Sequence, residues 1–301
     1  LHTYPSGKTN TTYTIPSTVI TIENYAFYNC DSLTNITIPD SVAEIGNYAF
    51  YSCNSLVDIT IGNSVTSIGE EAFCYCNSLT NIVIPDSATS IGKNAFFNCS
   101  SLTNAALGNG LTTIGEYAFY GCKSLTEIII PDSITSIQQY TFYNCTSVTN
   151  IVIPDSVISI GSDAFYSCDL LAEIIIPDSV TSIGSWAFAS CDLLTEVIIP
   201  DSVTSIENSA LAYCKSLTSV IIGNGVTSMG HSIFSGCSSL TEIIIPDAVT
   251  FIGNFAFEDC SSLTNITIGN GVTEIGTHAF DACTALTGIH VDENNPSYMD
   301  I

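Results

Sequence analysis

Apolar side chains recur along this chain in one pattern that repeats every 23 residues. In one copy of the pattern the apolar positions are Val180, Ile183, Phe188, Cys191 and Leu194. Twelve cysteines follow one another at the same constant step of 23 residues. A fixed period of this length indicates a solenoid, in which every coil buries its apolar edge against the neighbouring coils.

Each coil divides into three predicted elements. Leu125, Ile128 and Ile130 are inward positions that alternate with outward ones, and this period of two predicts a strand. After the strand ends at Pro131, a segment of the form Val-Thr-Ser-Ile predicts a second, short extended segment. The Ala-Phe-x-x-Cys segment has apolar residues at i, i+1 and i+4, which predicts one helical or 3₁₀ turn.

These elements predict the fold class, an α/β solenoid. The regular coils of residues 15–291 would stack about twelve parallel strands, one per coil, into a right-handed superhelix. Residues 1–14 and 292–301 do not fit the pattern. Because no linker or change of composition separates the coils, residues 1–301 are predicted to form a single domain.

The chain is strongly acidic, with 29 acidic and four basic side chains and a net charge of −25. Nucleic-acid binding requires a basic surface, so nucleic acid is excluded as a partner class. The apolar runs are far shorter than a membrane span, so membrane insertion is not expected. The charge favours a partner that carries basic patches or cations.

The cysteines occupy one position of the coil, so stacking would place neighbouring thiols roughly 5 Å apart. That distance permits a disulfide. A free cysteine, however, packs as a small buried hydrophobe, and a ladder of buried, reduced thiols is the favoured interpretation. The redox state stays open. The thirteenth cysteine, Cys74, replaces an outward aromatic residue and is expected to be an exposed thiol.

The frame Ile-Pro-Asp-Ser-Val-Thr-Ser-Ile-Gly-x-x-Ala-Phe-x-x-Cys-x-x-Leu-Thr-x-Ile resembles the BspA-like leucine-rich repeats, the LRR_5 or Treponema pallidum type. The resemblance covers residues 15–291 and implies a leucine-rich-repeat superhelix. Residues 1–14 and 292–301 resemble parts of the irregular repeats that flank regular coils in that family. The resemblance implies a secreted or cell-surface protein that adheres to host or microbial proteins.

No catalytic constellation is visible in the sequence. The four histidines occupy unrelated coil positions, and the resemblance brings no shared catalytic residues. The chain is therefore predicted not to be an enzyme, and no cofactor or metal site is expected. An aspartate that follows the proline recurs in neighbouring coils, for example at Asp178 and Asp201. It is interpreted as a turn residue that bonds its own backbone, with cation binding as the alternative.

The outward residues of the main strand form two stripes. One stripe is polar and contains Glu127, Asn150, Glu173, Glu196, Ser219 and Glu242. The other is aliphatic and contains Ile129, Val152, Ile175, Ile198, Ile221 and Ile244. The aliphatic stripe reflects either the β-propensity of these residues or the floor of a protein-binding face with an acidic rim. The predicted protein-binding residues are Glu127, Ile129, Val152, Glu173, Ile175, Glu196, Ile198, Ile221, Glu242 and Ile244.

A third stripe is aromatic. Its members are Tyr28, Tyr51, Phe97, Tyr120, Tyr143 and Tyr166, flanked by Tyr25, Tyr48, Tyr117, Tyr140 and Trp186. Packing within the turn segment is the favoured interpretation, and an interface or a carbohydrate-stacking surface is the alternative.

Together these features predict a non-catalytic binding scaffold with a protein partner, a host matrix or cell-surface protein. The alternative is a structural spacer that presents other domains of a longer protein and binds nothing itself. Near-identical coils favour the spacer, because a specific site usually breaks the symmetry of a repeat. The sequence leaves the oligomeric state open.

Overall fold

The computed structural model describes residues 1–5 and 7–298, and all the regular secondary structure in that part of the chain is β-strand. The chain forms two compact units, Leu1–Ser156 and Val157–Ile301. The single-domain assignment of residues 1–301 stays a prediction. Of the predicted irregular end at 292–301, residues 299–301 lie outside the described part of the chain.

The described residues of the first unit, 1–5 and 7–156, contain thirteen strands, in which three-residue and two-residue strands alternate. They are β1 (Thr12–Thr14), β2 (Thr21–Ile22), β3 (Asn35–Thr37), β4 (Glu44–Ile45), β5 (Asp58–Thr60), β6 (Ser67–Ile68), β7 (Asn81–Val83), β8 (Ser90–Ile91), β9 (Asn104–Ala106), β10 (Thr113–Ile114), β11 (Glu127–Ile129), β12 (Ser136–Ile137) and β13 (Asn150–Val152).

Within residues 157–298 the second unit contains twelve strands, in which two-residue strands alternate with strands of three or four residues. They are β14 (Ser159–Ile160), β15 (Glu173–Ile175), β16 (Ser182–Ile183), β17 (Glu196–Ile199), β18 (Ser205–Ile206), β19 (Ser219–Ile222), β20 (Ser228–Met229), β21 (Glu242–Ile245), β22 (Phe251–Ile252), β23 (Asn265–Ile268), β24 (Glu274–Ile275) and β25 (Gly288–Val291).

Strands pair in parallel with the strand one coil away, so residues 23 positions apart lie side by side. In the first unit Ile128 is paired with Ile151, and in the second unit Val197 is paired with Val220. The odd-numbered strands are the predicted main strands, and the even-numbered strands are the predicted short extended segments. The repeating parallel solenoid predicted from the 23-residue step is therefore confirmed.

A column of stacked phenylalanines fills the interior of each unit. In the first unit Phe27, Phe50 and Phe73 stack face to face with ring centroids 4.8 and 5.0 Å apart. In the second unit Phe234 and Phe257 stack at 5.5 Å. Rings stacked at this spacing exclude water along the axis of the unit and gain dispersion energy from both faces.

The ladder cysteines lie beside the phenylalanines. Twelve of the thirteen thiols are buried, and Cys283 is half-buried. Nine of the buried ladder thiols donate to a carbonyl one coil earlier, those of Cys53, Cys76, Cys99, Cys122, Cys145, Cys191, Cys214, Cys237 and Cys260. The Cys53 thiol donates to the carbonyl of Phe27 at 3.0 Å, and the Cys214 thiol donates to that of Phe188 at 3.2 Å. A thiol at this position therefore packs as an apolar group and also satisfies a backbone acceptor.

The Ala-Phe-x-x-Cys segment is not helical, so the prediction of a helical or 3₁₀ turn is wrong. Two residues in every coil, four positions apart, have a left-handed φ, such as Trp186 at 59° and Ser190 at 58°. A right-handed helix cannot continue through such residues. The segment instead makes consecutive tight turns, and the N–H groups of Trp186, Phe188 and Ser190 donate to carbonyls of the next coil.

Replacement of Ser190 by glycine is expected to stabilise the second unit. A left-handed φ costs a side chain roughly 1 kcal/mol that glycine does not incur. Gly121 and Gly236 already occupy this position in other coils. Urea unfolding should show a higher midpoint for Ser190→Gly, whereas the control Ala189→Gly, one residue away at a buried position, should show a lower one. A lower midpoint for Ser190→Gly would contradict this account of the turn.

Candidate protein-binding face

All ten predicted protein-binding residues are exposed on the main strands. Alternation along the strand explains this placement, because neighbouring side chains point to opposite faces. Ile174 is 7% exposed and lies in the core, while Ile175 is 79% exposed. Val83, which is 62% exposed on β7, occupies the same strand position as Ile175 but was not among the predicted protein-binding residues. Its place in the repeat was the signal that could have found it.

In the first unit the face is small. Ile129 and Val152 are neighbours on β11 and β13, and Glu127 lies beside Asn150. The Asn150 side-chain amide donates to the Glu127 carboxylate at 2.6 Å. This hydrogen bond engages one carboxylate of the acidic rim. At this place the first unit therefore offers two neighbouring exposed aliphatic side chains beside a carboxylate that is already hydrogen-bonded.

In the second unit the same stripes run over four coils. Glu173 is paired with Glu196, while Ile175, Ile198 and Ile221 lie side by side on β15, β17 and β19. Ile244 continues the stripe on β21 and is 68% exposed. Within residues 157–298 the only lysine or arginine is Lys215, which pairs with Asp192 at 3.1 Å. The glutamates beside the isoleucine stripe therefore have no lysine or arginine partner in this unit.

A cleft interrupts the face between β19 and β21, which are not hydrogen-bonded to each other. Its volume is about 400 Å³, within the range of small ligand sites. Ile221, Ile244 and Pro246 provide apolar walls, and Glu242 and Asn224 provide polar groups. In the first unit a smaller cleft of about 220 Å³ lies at the corresponding interruption between β9 and β11.

A sequence feature accompanies these interruptions. Gly-Asn replaces Pro-Asp after the strand in four coils, and the ladder is interrupted after three of them, at β5, β9 and β19. The backbone N–H of Asn224 donates to the Asp201 carboxylate of the preceding coil at 2.7 Å. Gly223 allows this approach, because a Cβ there would lie 2.5 Å from the Pro200 carbonyl carbon. The turn lies close to the preceding coil, and the cleft opens on its other side.

The same contacts correct the interpretation of the recurring aspartates. Four of them accept a hydrogen bond from the backbone of the next coil and not from their own. The four are Asp40, Asp86, Asp201 and Asp247. These carboxylates join coils, which is a structural role. Within the described residues no group of three or more His, Cys, Asp or Glu side chains is arranged to hold a metal ion.

The aromatic stripe is stacked and half-buried over most of its length. Phe97, Tyr120 and Tyr143 stack with ring centroids 4.6 Å apart at each step. Tyr28 and Tyr51 stack at 5.1 Å. Each ring covers the face of the next. This arrangement agrees with packing within the turn segment, the favoured interpretation of the stripe.

Cys74 is buried, with 2% of its surface exposed, so the prediction of an exposed thiol is wrong. The cysteine side chain is much shorter than the tyrosine that precedes it in the stripe. The ring of Tyr75 lies between Tyr51 and Phe97 and contacts both at right angles. Burial, followed by the charge of Glu71, raises the pKa of the Cys74 thiol above its ordinary value.

The histidines lie apart from one another in contacts of different kinds. The ring of His231 accepts a hydrogen bond from the backbone of Asn254 at 2.9 Å. His278 lies 2.6 Å from Asp281 on the surface. Among residues 1–5 and 7–298, no helix has the length and apolar character that a membrane crossing requires.

Comparison with solved structures places the fold among bacterial proteins. A leucine-rich cell surface protein from Faecalibacterium prausnitzii is 32% identical over 96% of this chain and 91% of its own, with a TM-score of 0.60. A leucine-rich repeat protein from Bacteroides ovatus is 28% identical over 94% of this chain and 87% of its own, with a TM-score of 0.65. The leucine-rich repeat protein of T. pallidum is 29% identical over 55% of this chain and 79% of its own, with a TM-score of 0.52.

No curated protein matches the chain. The model of the BspA type leucine rich repeat region matches it in six copies, over residues 6–125, 66–195 and 187–299. These matches cover nearly the whole solenoid and agree with the 23-residue frame of the sequence. The chain belongs to the BspA-type leucine-rich repeat family.

Proposed function

We propose that this chain is a non-catalytic binding scaffold, secreted or on a cell surface, which adheres to a host or microbial protein. The observation that carries the proposal is the isoleucine stripe of the second unit, Ile175, Ile198, Ile221 and Ile244, exposed beside acidic side chains. The similarity to a cell surface protein of F. prausnitzii supports the location.

The stripe offers binding energy because it is apolar and uncovered. Burial of apolar surface contributes about 25 cal/mol per Å², and full burial of an isoleucine side chain contributes roughly 1.5–3 kcal/mol. The cleft between β19 and β21 gives one partner side chain a place to enter between Ile221 and Ile244. Anchors of this kind carry most of the affinity in protein interfaces.

The acidic rim selects the partner by charge. Glu173, Glu196 and Glu242 lie beside the stripe, so the partner is a protein with lysine or arginine around an apolar patch. Such complementarity raises the association rate at low salt. We expect the association rate to fall as ionic strength rises, with a smaller change in the dissociation rate.

The experiment is capture of matrix proteins or host-cell proteins on the immobilised chain, repeated with the double variant Ile175→Ser and Ile198→Ser. Loss of two central anchors should weaken binding by about 2 kcal/mol or more, roughly 30-fold. The matched control is Ile158→Ser, because Ile158 is 52% exposed in the same unit but lies outside the main strands. The double variant should keep the wild-type unfolding midpoint.

A captured protein supports the proposal only if the double variant loses it and Ile158→Ser keeps it. Equal binding by the two variants would place the site elsewhere on the chain. Absence of specific capture at any salt concentration would favour the structural spacer. Unfolding of the double variant would mean that these side chains contribute to the core.

A further inference from the structure

One coil of the first unit departs from the repeat at three nearby positions. Glu71 and Cys74 stand where the preceding coil has tyrosines, and Tyr75 stands where it has Ser52. Glu71 has a left-handed φ of 52° and is the only glutamate at that position in any coil. The backbone conformation is the same in the other coils, so the departure lies in the side chain, which brings a carboxylate to a position that holds a tyrosine in the preceding coil.

The three departures surround one pocket. Tyr51 and Phe97 belong to the coils on either side, and they line the pocket together with Glu71, Cys74 and Tyr75. The Tyr75 ring meets Tyr51 at 5.7 Å and 83° and meets Phe97 at 5.6 Å and 75°. Elsewhere in the stripe neighbouring rings are nearly parallel, as Phe97 and Tyr120 are at 8°. The pocket is therefore bordered by three aromatic rings in two nearly perpendicular orientations.

Glu71 brings a negative charge to this pocket. Its carboxylate is approached by the Tyr48 hydroxyl at 3.5 Å and by the Asn94 amide at 3.4 Å, both at the long limit of hydrogen bonding. It has no lysine, arginine or histidine partner within residues 1–5 and 7–298. The carboxylate charge, followed by burial, raises the pKa of Tyr48. The negative charge is thus held in place and left without a cation.

We propose that this pocket binds the quaternary ammonium group of a small choline-like molecule. A cation over aromatic faces is attracted by their negative π-surfaces, and the Glu71 carboxylate adds a net charge of the right sign. A quaternary ammonium group has no N–H to satisfy, which suits walls made mostly of rings. The pocket volume of about 190 Å³ is below that of sites for drug-sized ligands, so it fits one head group.

The test is a titration of the full chain with choline, followed by the shift of the choline methyl protons in NMR spectra. Aromatic rings on several sides should shift these protons upfield. The neutral carbon isostere of choline, which has the same shape without the charge, should bind at least about tenfold more weakly. Equal binding of the two molecules would overturn the proposal, because it would show a plain apolar pocket.

Variants locate the site. Cys74→Tyr restores the residue of the preceding coil, fills the pocket and should abolish binding. Because this variant could disturb packing, Glu71→Gln provides the second test, with binding expected to weaken about fivefold. Tyr213→Ser is the matched control, since Tyr213 occupies the coil position of Tyr75 in the second unit. Wild-type binding by both Cys74→Tyr and Glu71→Gln would overturn the assignment.

A parallel titration with phosphocholine identifies the source of the head group. The acidic chain disfavours the phosphate, so free choline should bind more tightly than phosphocholine. Failure of choline to bind at all would overturn the proposal and leave the protein-binding face of the second unit unaffected.

Discussion

The protein is expected to unfold steeply in mild alkali because of its buried thiols. Eleven cysteines have a raised pKa, and burial is the leading cause for all but one of them. They are Cys53, Cys74, Cys76, Cys99, Cys122, Cys145, Cys191, Cys214, Cys237, Cys260 and Cys283. The pKa is about 12 for Cys76 and for Cys214, and about 11 for the half-buried Cys283.

The direction in which the free energy of unfolding changes with pH follows from proton linkage. An unfolded thiol ionises at a pKa of about 8.5, whereas the folded thiols keep their protons to higher pH. The folded state therefore binds more protons than the unfolded state above pH 8.5, and the free energy of unfolding falls as pH rises. The stabilising contribution is fully present below the unfolded pKa and is lost as the pH rises through the folded pKa values.

The expected size is large because the thiols act together. Each buried thiol contributes a slope of about 1.4 kcal/mol per pH unit between its two pKa values, so ten contribute about 14 kcal/mol per pH unit. Domains are stable by roughly 5–15 kcal/mol at neutral pH. The chain should therefore be unfolded by about pH 10, as followed by circular dichroism and thiol titration together.

The control removes three of the thiols. A variant with alanine at Cys191, Cys214 and Cys237 should lose stability at pH 7 because of the cavities that it creates. Its free energy of unfolding, measured with urea over the pH range in which the chain stays folded, should nevertheless depend less steeply on pH, by up to about 4 kcal/mol per unit above pH 8.5. If the free energy of unfolding of the wild-type chain stayed constant from pH 8 to pH 10, the result would contradict a ladder of buried, protonated thiols.

Truncation of one ring in the phenylalanine column should destabilise its unit strongly. Phe257 is fully buried and stacks on Phe234 at 5.5 Å and on Phe280 at 5.6 Å. Phe257→Ala leaves a cavity between two rigid neighbours and should cost about 3–5 kcal/mol of unfolding free energy. Urea unfolding of the intact chain measures this loss.

Two further variants make that measurement specific. Phe257→Leu should cost less than about 1.5 kcal/mol, because Leu211 already takes the place of a phenylalanine in this column. Phe255→Ala, two residues away at a half-buried position, should cost less than Phe257→Ala. Equal effects of Phe255→Ala and Phe257→Ala would show that the column is not the core of the unit.

The strands and the core could be predicted from the sequence because they depend on inward and outward positions. Leu125, Ile128 and Ile130 were predicted to face inward, and all three are buried. The stacking of identical positions then determines the register without further information. Every coil of the repeat shows the same inward and outward positions. An assignment made from one coil is therefore checked against all the others.

The turn segment was mispredicted because its apolar spacing fits a helix. Apolar spacing reports which side chains are buried and does not report the sign of φ. A signal was present, since Asn29, Asn98 and Asn144 occupy the second left-handed position and Gly121 and Gly236 replace them. Asparagine and glycine are the residues that most readily adopt this conformation.

The candidate sites depend on departures from the repeat, and these are harder to interpret. Cys74 was placed outward because its neighbours in the stripe are aromatic, yet its exposure depends on where the Tyr75 ring lies. The two clefts accompany hydrogen bonds from Asn224 to Asp201 and from Asn109 to Asp86, each of which joins coils 23 residues apart. Contacts of this kind involve two coils, and the pattern of a single coil does not contain them.

The measurement that tests the central claim most directly is an NMR titration of isoleucine methyl groups with the captured partner. The account predicts that the methyl signals of Ile175, Ile198, Ile221 and Ile244 shift or broaden together as the partner is added. The signal of Ile158, equally apolar and exposed in the same unit, should stay unchanged. Perturbation of Ile158 with no change in the four stripe residues would contradict a binding face on the main strands.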